Sequence, residues 1–205
     1  MRLTKIVVVD CCLGNLKSVQ KALEKIHATA LISNNESDLS DADAIVLPGV
    51  GAFRDAAKSI EPLKAVIREQ IVQGKPLLGI CLGLQLLFTE STEGGLYKGL
   101  DVLEGQVVHF PEGLKAPHMG WNTVRIIDST NPLVAGLSDE EYLYFVHSYY
   151  PEVKDRGNIV ALTKYGVDFP SIVAKENVFA TQFHPEKSGK TGLKILKNFL
   201  DYIRK

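Results

Sequence analysis

Several things are scarce in this chain of 205 residues. It has only three cysteines, Cys11, Cys12 and Cys81, an odd number without framework spacing, and this excludes a disulfide scaffold. No Cys-x-x-Cys pair occurs, so a structural zinc site has no support, and no metal or cofactor is expected. The charges nearly cancel, 23 basic against 24 acidic for a formal net of -1, so there is no basic footprint for nucleic acid. No run of basic residues suits an anionic membrane surface. No apolar stretch approaches the ~20 residues of a transmembrane helix. The amino terminus, MRLTKIVVVDCC, runs straight into a strand-like pattern and does not read as a signal peptide. A cytoplasmic protein is the expectation.

What remains is an ordinary globular composition, 45% hydrophobic and 23% charged. The length suits a single domain over 1–205 with a real core. Buried strands are predicted at 5–9 (KIVVV), 44–47 (AIVL), 77–80 (LLGI) and 159–162 (IVAL). Helices are predicted over 15–26 and over 52–73, the second broken or restarted at Pro62. This alternation implies an α/β fold, a three-layer open sheet, mostly parallel, with helices on both faces. Residues 102–170 differ. Short alternating pieces at 106–110, 123–127 and 142–146 suggest a smaller mixed or antiparallel sheet, and an amphipathic helix over 192–203 closes the chain.

The strongest local signal is Pro76-Leu-Leu-Gly-Ile-Cys-Leu-Gly-Leu-Gln-Leu-Leu-Phe88. A strand ends at Ile80, Cys81 follows, and a helix begins almost at once, with glycines two before and two after the cysteine. That is the layout of a nucleophile elbow with cysteine in place of serine. A cysteine at a helix amino terminus is favoured as thiolate, the reactive form. A buried packing cysteine at a strand end is the competing reading. For Cys11 and Cys12, which lack flanking glycines, packing is the preferred reading.

A cysteine nucleophile needs a base, and the base needs an orienter. Of the five histidines, His184 stands out, in Ala180-Thr-Gln-Phe-His-Pro-Glu-Lys187. Glu186 can fold back onto the imidazole where the strand gives way to a loop, fixing its tautomer and supporting its charge. The loop Leu47-Pro-Gly-Val-Gly-Ala-Phe53 follows the second predicted buried strand. Parallel strands put it on the same sheet edge as Cys81, where glycine-rich backbone can offer N–H groups to an oxyanion. A phosphate-binding turn is the competing reading, but the Walker lysine and serine are missing.

These segments resemble the class I, triad-type glutamine amidotransferases over essentially the whole chain. The resemblance implies that Cys81 attacks the side-chain amide of L-glutamine, giving a thioester and ammonia, while His184 moves the proton and Glu186 orients it. It implies an oxyanion site from Leu82 and the 48–51 loop, with Gly49, Val50 and above all Gly51. It places Gln85, Glu93, His147, Ser148 and Tyr149 around the glutamine.

The details resemble those members that pass ammonia to a separate cyclase (synthase) subunit making imidazole glycerol phosphate and AICAR in histidine biosynthesis, as a heterodimer. Asp10-Cys-Cys-Leu-Gly-Asn-Leu-Lys-Ser-Val19, Leu47–Phe53 and Pro117-His-Met-Gly-Trp-Asn122 carry this. The implied partner face takes in Asn15, Pro117, Met119, Trp121, Asn122 and Lys187. Core packing competes for Trp121, and a solvated surface for Lys187. Cys11 and Cys12 stand where those members have Tyr and Gly, which puts local partner contacts in question and suggests an oxidation-sensitive edge. The alternatives are a glutaminase of another pathway, a cysteine hydrolase on the same scaffold, and a silent binding subunit; the intact triad argues against the last. Ammonia set free in water is wasted, so low activity alone and strong stimulation by the liganded cyclase are expected.

Overall fold

The computed structural model describes residues 4–10, 14–138 and 140–205; Cys11 and Cys12 lie outside them. The first half alternates strand and helix: β1 (Lys5–Val9), α1 (Leu16–Lys25), β2 (Thr29–Ser33), α2 (Glu36–Asp41), β3 (Ala44–Gly49), α3 (Phe53–Ile60), α4 (Lys64–Val72), β4 (Leu77–Cys81) and α5 (Leu82–Leu86). A single 3-10 turn at Glu61–Leu63 joins α3 to α4. Pro62 has no N–H to continue the ladder, so the predicted long helix is two. The second half is mainly strand: β5 (Phe88–Ser91), β6 (Tyr97–Lys98), β7 (Leu103–His109), β8 (His118–Ile126), β9 (Glu141–His147), β10 (Tyr149–Val153), β11 (Ile159–Tyr165), β12 (Val167–Lys175) and β13 (Val178–Thr181), before α6 (Gly189–Ile203).

The large sheet has nine described strands in the order β2-β1-β3-β4-β13-β12-β11-β8-β9. It is parallel from β2 through β13 and antiparallel from there to β9. Two of the three pieces that the sequence suggested as a separate small sheet, those in β8 and β9, therefore extend the large one. The cause is local: the chain reverses between β11 and β12 at Gly166 (φ 70°) and between β12 and β13 near Glu176 (φ 53°), and tight reversals pair strands antiparallel. The smaller sheet is mixed, β10-β7-β5-β6.

Burial explains the layers. Along β1, Ile6 and Val8 enter one apolar cluster while Val7 and Val9 enter the other, as strand alternation requires. On the first face α1 adds Val19 and Leu23, and α6 adds Ile195, Leu196, Phe199 and Leu200. On the second, α3 and α4 add Phe53, Ala56, Ile60 and Ile67. Each such side chain contributes roughly 1.5–3 kcal/mol when fully buried. Among the described residues no helix is long and apolar enough to cross a membrane.

Candidate active site

Three adjacent strands deliver the site to one sheet edge. β3, β4 and β13 lie side by side and parallel, so their carboxyl ends coincide. Gly49 at the end of β3 pairs with Cys81 at the end of β4, and β13 leads within three residues to His184.

Cys81 has φ 54° and ψ -106°, a strained turn between β4 and α5. The flanking glycines are there for space. A Cβ on Gly83 would sit 1.7 Å from the Leu47 carbonyl oxygen, and one on Gly79 2.9 Å from the Gly83 carbonyl oxygen. Strand and helix therefore meet backbone to backbone around the cysteine. Its sulfur, 5% exposed as a residue, has two further neighbours at 3.8 Å: the Val146 carbonyl, to which Sγ–H donates, and Gln182 Nε2, which donates to Sγ.

His184 begins a 3-10 turn, Pro185–Lys187, that folds Glu186 back onto its own ring. His184 Nδ1 donates to Glu186 Oε1 at 2.7 Å, and both side chains are fully buried. The turn is pinned to β9, since His184 N–H donates to the Tyr144 carbonyl (2.9 Å) and Tyr144 N–H donates to Ser188 Oγ (3.0 Å), which in turn donates to the His184 carbonyl (2.6 Å). Nε2 is buried and has no hydrogen-bond partner among the described residues, yet it lies within electrostatic reach of Cys81. Burial pulls the imidazole pKa down, but the facing Cys81 sulfur and Glu186 outweigh it and raise it to about 10. A loose Cys–His contact is usual before substrate arrives.

The site opens into a cavity of about 270 Å³ lined by Cys81, Leu82, Val50 and Gly51 together with Gln85, Glu93 and His147 to Tyr149, with exposed Pro117 also in its wall. Gly51 has φ 107°, a conformation that favours glycine. Glu93 Oε2 accepts the Phe53 N–H (2.8 Å), which holds that carboxylate at the start of α3. Gln85 Nε2 donates to the Tyr149 carbonyl (2.9 Å) and to Gln182 Oε1 (3.3 Å).

Met119 and Trp121 project from one face of β8, 63% and 55% exposed, and Lys187 is exposed directly after Glu186. Two other residues assigned to the partner face by resemblance have inward bonds. Asn15 donates from Nδ2 to Glu186 Oε1 at 2.6 Å, and half-buried Asn122 bonds His118 and the Lys164 carbonyl. Sequence reasoning missed Gln182, fully buried beneath the sulfur.

A cysteine at an elbow, a carboxylate-oriented histidine and a glycine-containing loop meet at this cavity, the groups that thioester chemistry on an amide employs. The family model described as "Glutamine amidotransferase class-I" matches residues 7–203, and the chain belongs to that family. Among curated relatives, it is 54% identical to "Imidazole glycerol phosphate synthase subunit HisH" of Methanosarcina acetivorans, over 96% of this chain and 98% of the relative. It is 50% identical to the subunit of the same name from Natronomonas pharaonis, over 98% and 96% of the two chains. Among solved structures, one titled "Structure of PurLQS from Thermotoga maritima" shares the fold, with TM-score 0.81 at 20% identity, covering 98% of this chain and 99% of the other.

Proposed function

We infer that this chain is the glutaminase subunit of imidazole glycerol phosphate synthase in histidine biosynthesis. It hydrolyses L-glutamine to glutamate and passes the ammonia to a cyclase subunit. The identity to HisH subunits over nearly the full chain supports the assignment. The observation that carries the chemistry is the Cys81–His184–Glu186 arrangement at one sheet edge. In this reading the thiol proton rests on His184 Nε2, paired with the thiolate, and passes to the leaving ammonia, while Glu186 accepts from Nδ1–H and so aims Nε2 at sulfur. The thioester is then hydrolysed by water activated by the same imidazole. Backbone N–H groups of Leu82 and of the 49–51 loop stabilise the oxyanion, and Gly51 permits the peptide between Val50 and itself to turn when the partner is ready. Gln85, Glu93 and His147–Tyr149, which line the same cavity, hold the substrate. Met119, Trp121 and Lys187 face the cyclase. By the same reading the protein works in the cytoplasm.

An electrophilic glutamine analogue tests this site directly. Peptide mapping by mass spectrometry will place the adduct on Cys81, with parallel loss of glutamate release. An adduct elsewhere, or turnover surviving in Cys81→Ala, would contradict the assignment.

A further inference from the structure

A hydrogen-bonded chain runs from β8 to the glutamine cavity, reaching Cys81 only beyond it, through Gln85 and Gln182, and its direction is fixed at both ends. The Tyr149 carbonyl only accepts, so His147 donates to it from Nδ1, at 2.8 Å. His147 Nε2 is then an acceptor, and the group facing it is His118 Nδ1, at 3.1 Å. This leaves His118 Nε2 as the acceptor for Asn122 Nδ2, at 3.2 Å. The Asn122 amide has one orientation: Nδ2 also donates to the Lys164 carbonyl (3.0 Å), and Oδ1 accepts the Thr123 N–H (2.8 Å). Both histidines are buried, at 4% and 6% exposure, and the His118 ring stacks on Tyr165 (centroids 4.1 Å apart) and Phe145 (5.0 Å). A further proton on either ring would set N–H against N–H. Burial also holds both imidazoles neutral, His118 at about 4 and His147 at about 3.

The chain ends where position matters. His147 closes β9 and Tyr149 opens β10, so the bond between them ties the corner at which the backbone leaves the large sheet for the small one. The same Tyr149 carbonyl accepts from Gln85, whose Nε2 also donates to Gln182. With both amide hydrogens engaged, Gln85 Oε1 is the atom left to accept from a substrate N–H.

We propose that His118 and Asn122 are positioning residues for glutamine: through His147 they hold the Tyr149 corner, and the corner sets the direction of the Gln85 amide. This rests on the glutaminase reading of the cavity. None of Asn122, His118 and His147 is a catalytic acid or base.

Two measurements test it. In the chain itself, ¹⁵N NMR of the imidazoles at neutral pH will show His118 and His147 both as neutral Nδ1–H tautomers. An Nε2–H form or an imidazolium at either one overturns the proposal. In the complex with the cyclase and its nucleotide ligand, His118→Leu and Asn122→Ala will raise the KM for glutamine by about tenfold with kcat changed far less. His118→Gln, whose amide supplies both a donor and an acceptor, will recover most of that loss. KM unchanged in His118→Leu while Cys81→Ala is inactive overturns this inference alone. Glutamate release surviving in Cys81→Ala undoes the glutaminase reading instead.

Discussion

At the scale of single residues, the site is a set of charges that hold one another in place. His184 is buried, and alone that would keep it neutral; Cys81 and Glu186 reverse the sign and bring its pKa to about 10. Replacing Cys81 with Ser removes the sulfur's contribution and leaves Glu186 against burial. The His184 titration followed by NMR will therefore fall below about 10 in Cys81→Ser. In the intact chain a raised histidine pKa adds stability that is complete below 6.5 and disappears as pH rises through about 10. Asn15 belongs to this account. It sits at φ 75°, which asparagine tolerates, and donates to Glu186 at 2.6 Å. Asn15→Gly keeps that backbone accessible and removes only the donor. We expect kcat to fall by about tenfold or more, with thermal stability little altered. Cys81, His184 and Glu186 were legible in the sequence because each lies in a short motif with a local reason. The Asn15 bond to Glu186 and the Gln182 bond to the Cys81 sulfur are not legible in the sequence, because both span long sequence separations that only the fold closes.

At the scale of elements, the elbow is the most constrained feature. Gly83 allows α5 to lie against the β3 backbone, and the Cβ of Gly83→Ala would meet the Leu47 carbonyl oxygen at 1.7 Å. Since that neighbour is backbone, we expect a loss of about 3 kcal/mol or more, or failure to fold, by denaturant titration. The His118–His147 pair makes a second element-level prediction. Both pKa values are depressed by burial, to about 4 and about 3, so the stability tied to keeping them neutral is present above 6.5 and lost as pH falls through those values. Denaturant midpoints measured from pH 7 downward will decline from about pH 6.5 in the native chain, and less steeply in His118→Gln. The parallel strands β1, β3 and β4 were legible because a strand buried on both faces reads as an unbroken apolar run. β2 and α2 passed unnoticed, since Thr29–Ser33 is half exposed and α2 has only six residues. The switch of sheets between His147 and Tyr149 was illegible for another reason: only Ser148 separates the two strands, with no glycine or proline at the break, and what changes is the pairing partner.

At the scale of the whole molecule, a glutaminase that releases ammonia to water is wasteful, and the exposed strip beside the cavity fits the alternative. Trp121 and Met119 alternate along β8 with their side chains out, and Trp121 lies edge-on to Tyr144 at 6.0 Å. Trp121 is the sole tryptophan, so its fluorescence reports on this face alone. Docking of the cyclase will shift its emission to the blue. Trp121→Ala will weaken association by about thirtyfold, the scale of an interfacial aromatic anchor, without changing the glutamine pocket. Here the sequence was read through family resemblance rather than physics: nothing in the local pattern separates a partner-facing tryptophan from one packed on the core. The most direct test of the whole account is glutamate release by the purified chain, alone and mixed with the cyclase subunit and its nucleotide substrate. The account predicts a low rate alone, a strong rise in the liganded complex, and none with Cys81→Ala. A high rate from the isolated chain, or no stimulation by the liganded cyclase, would contradict it.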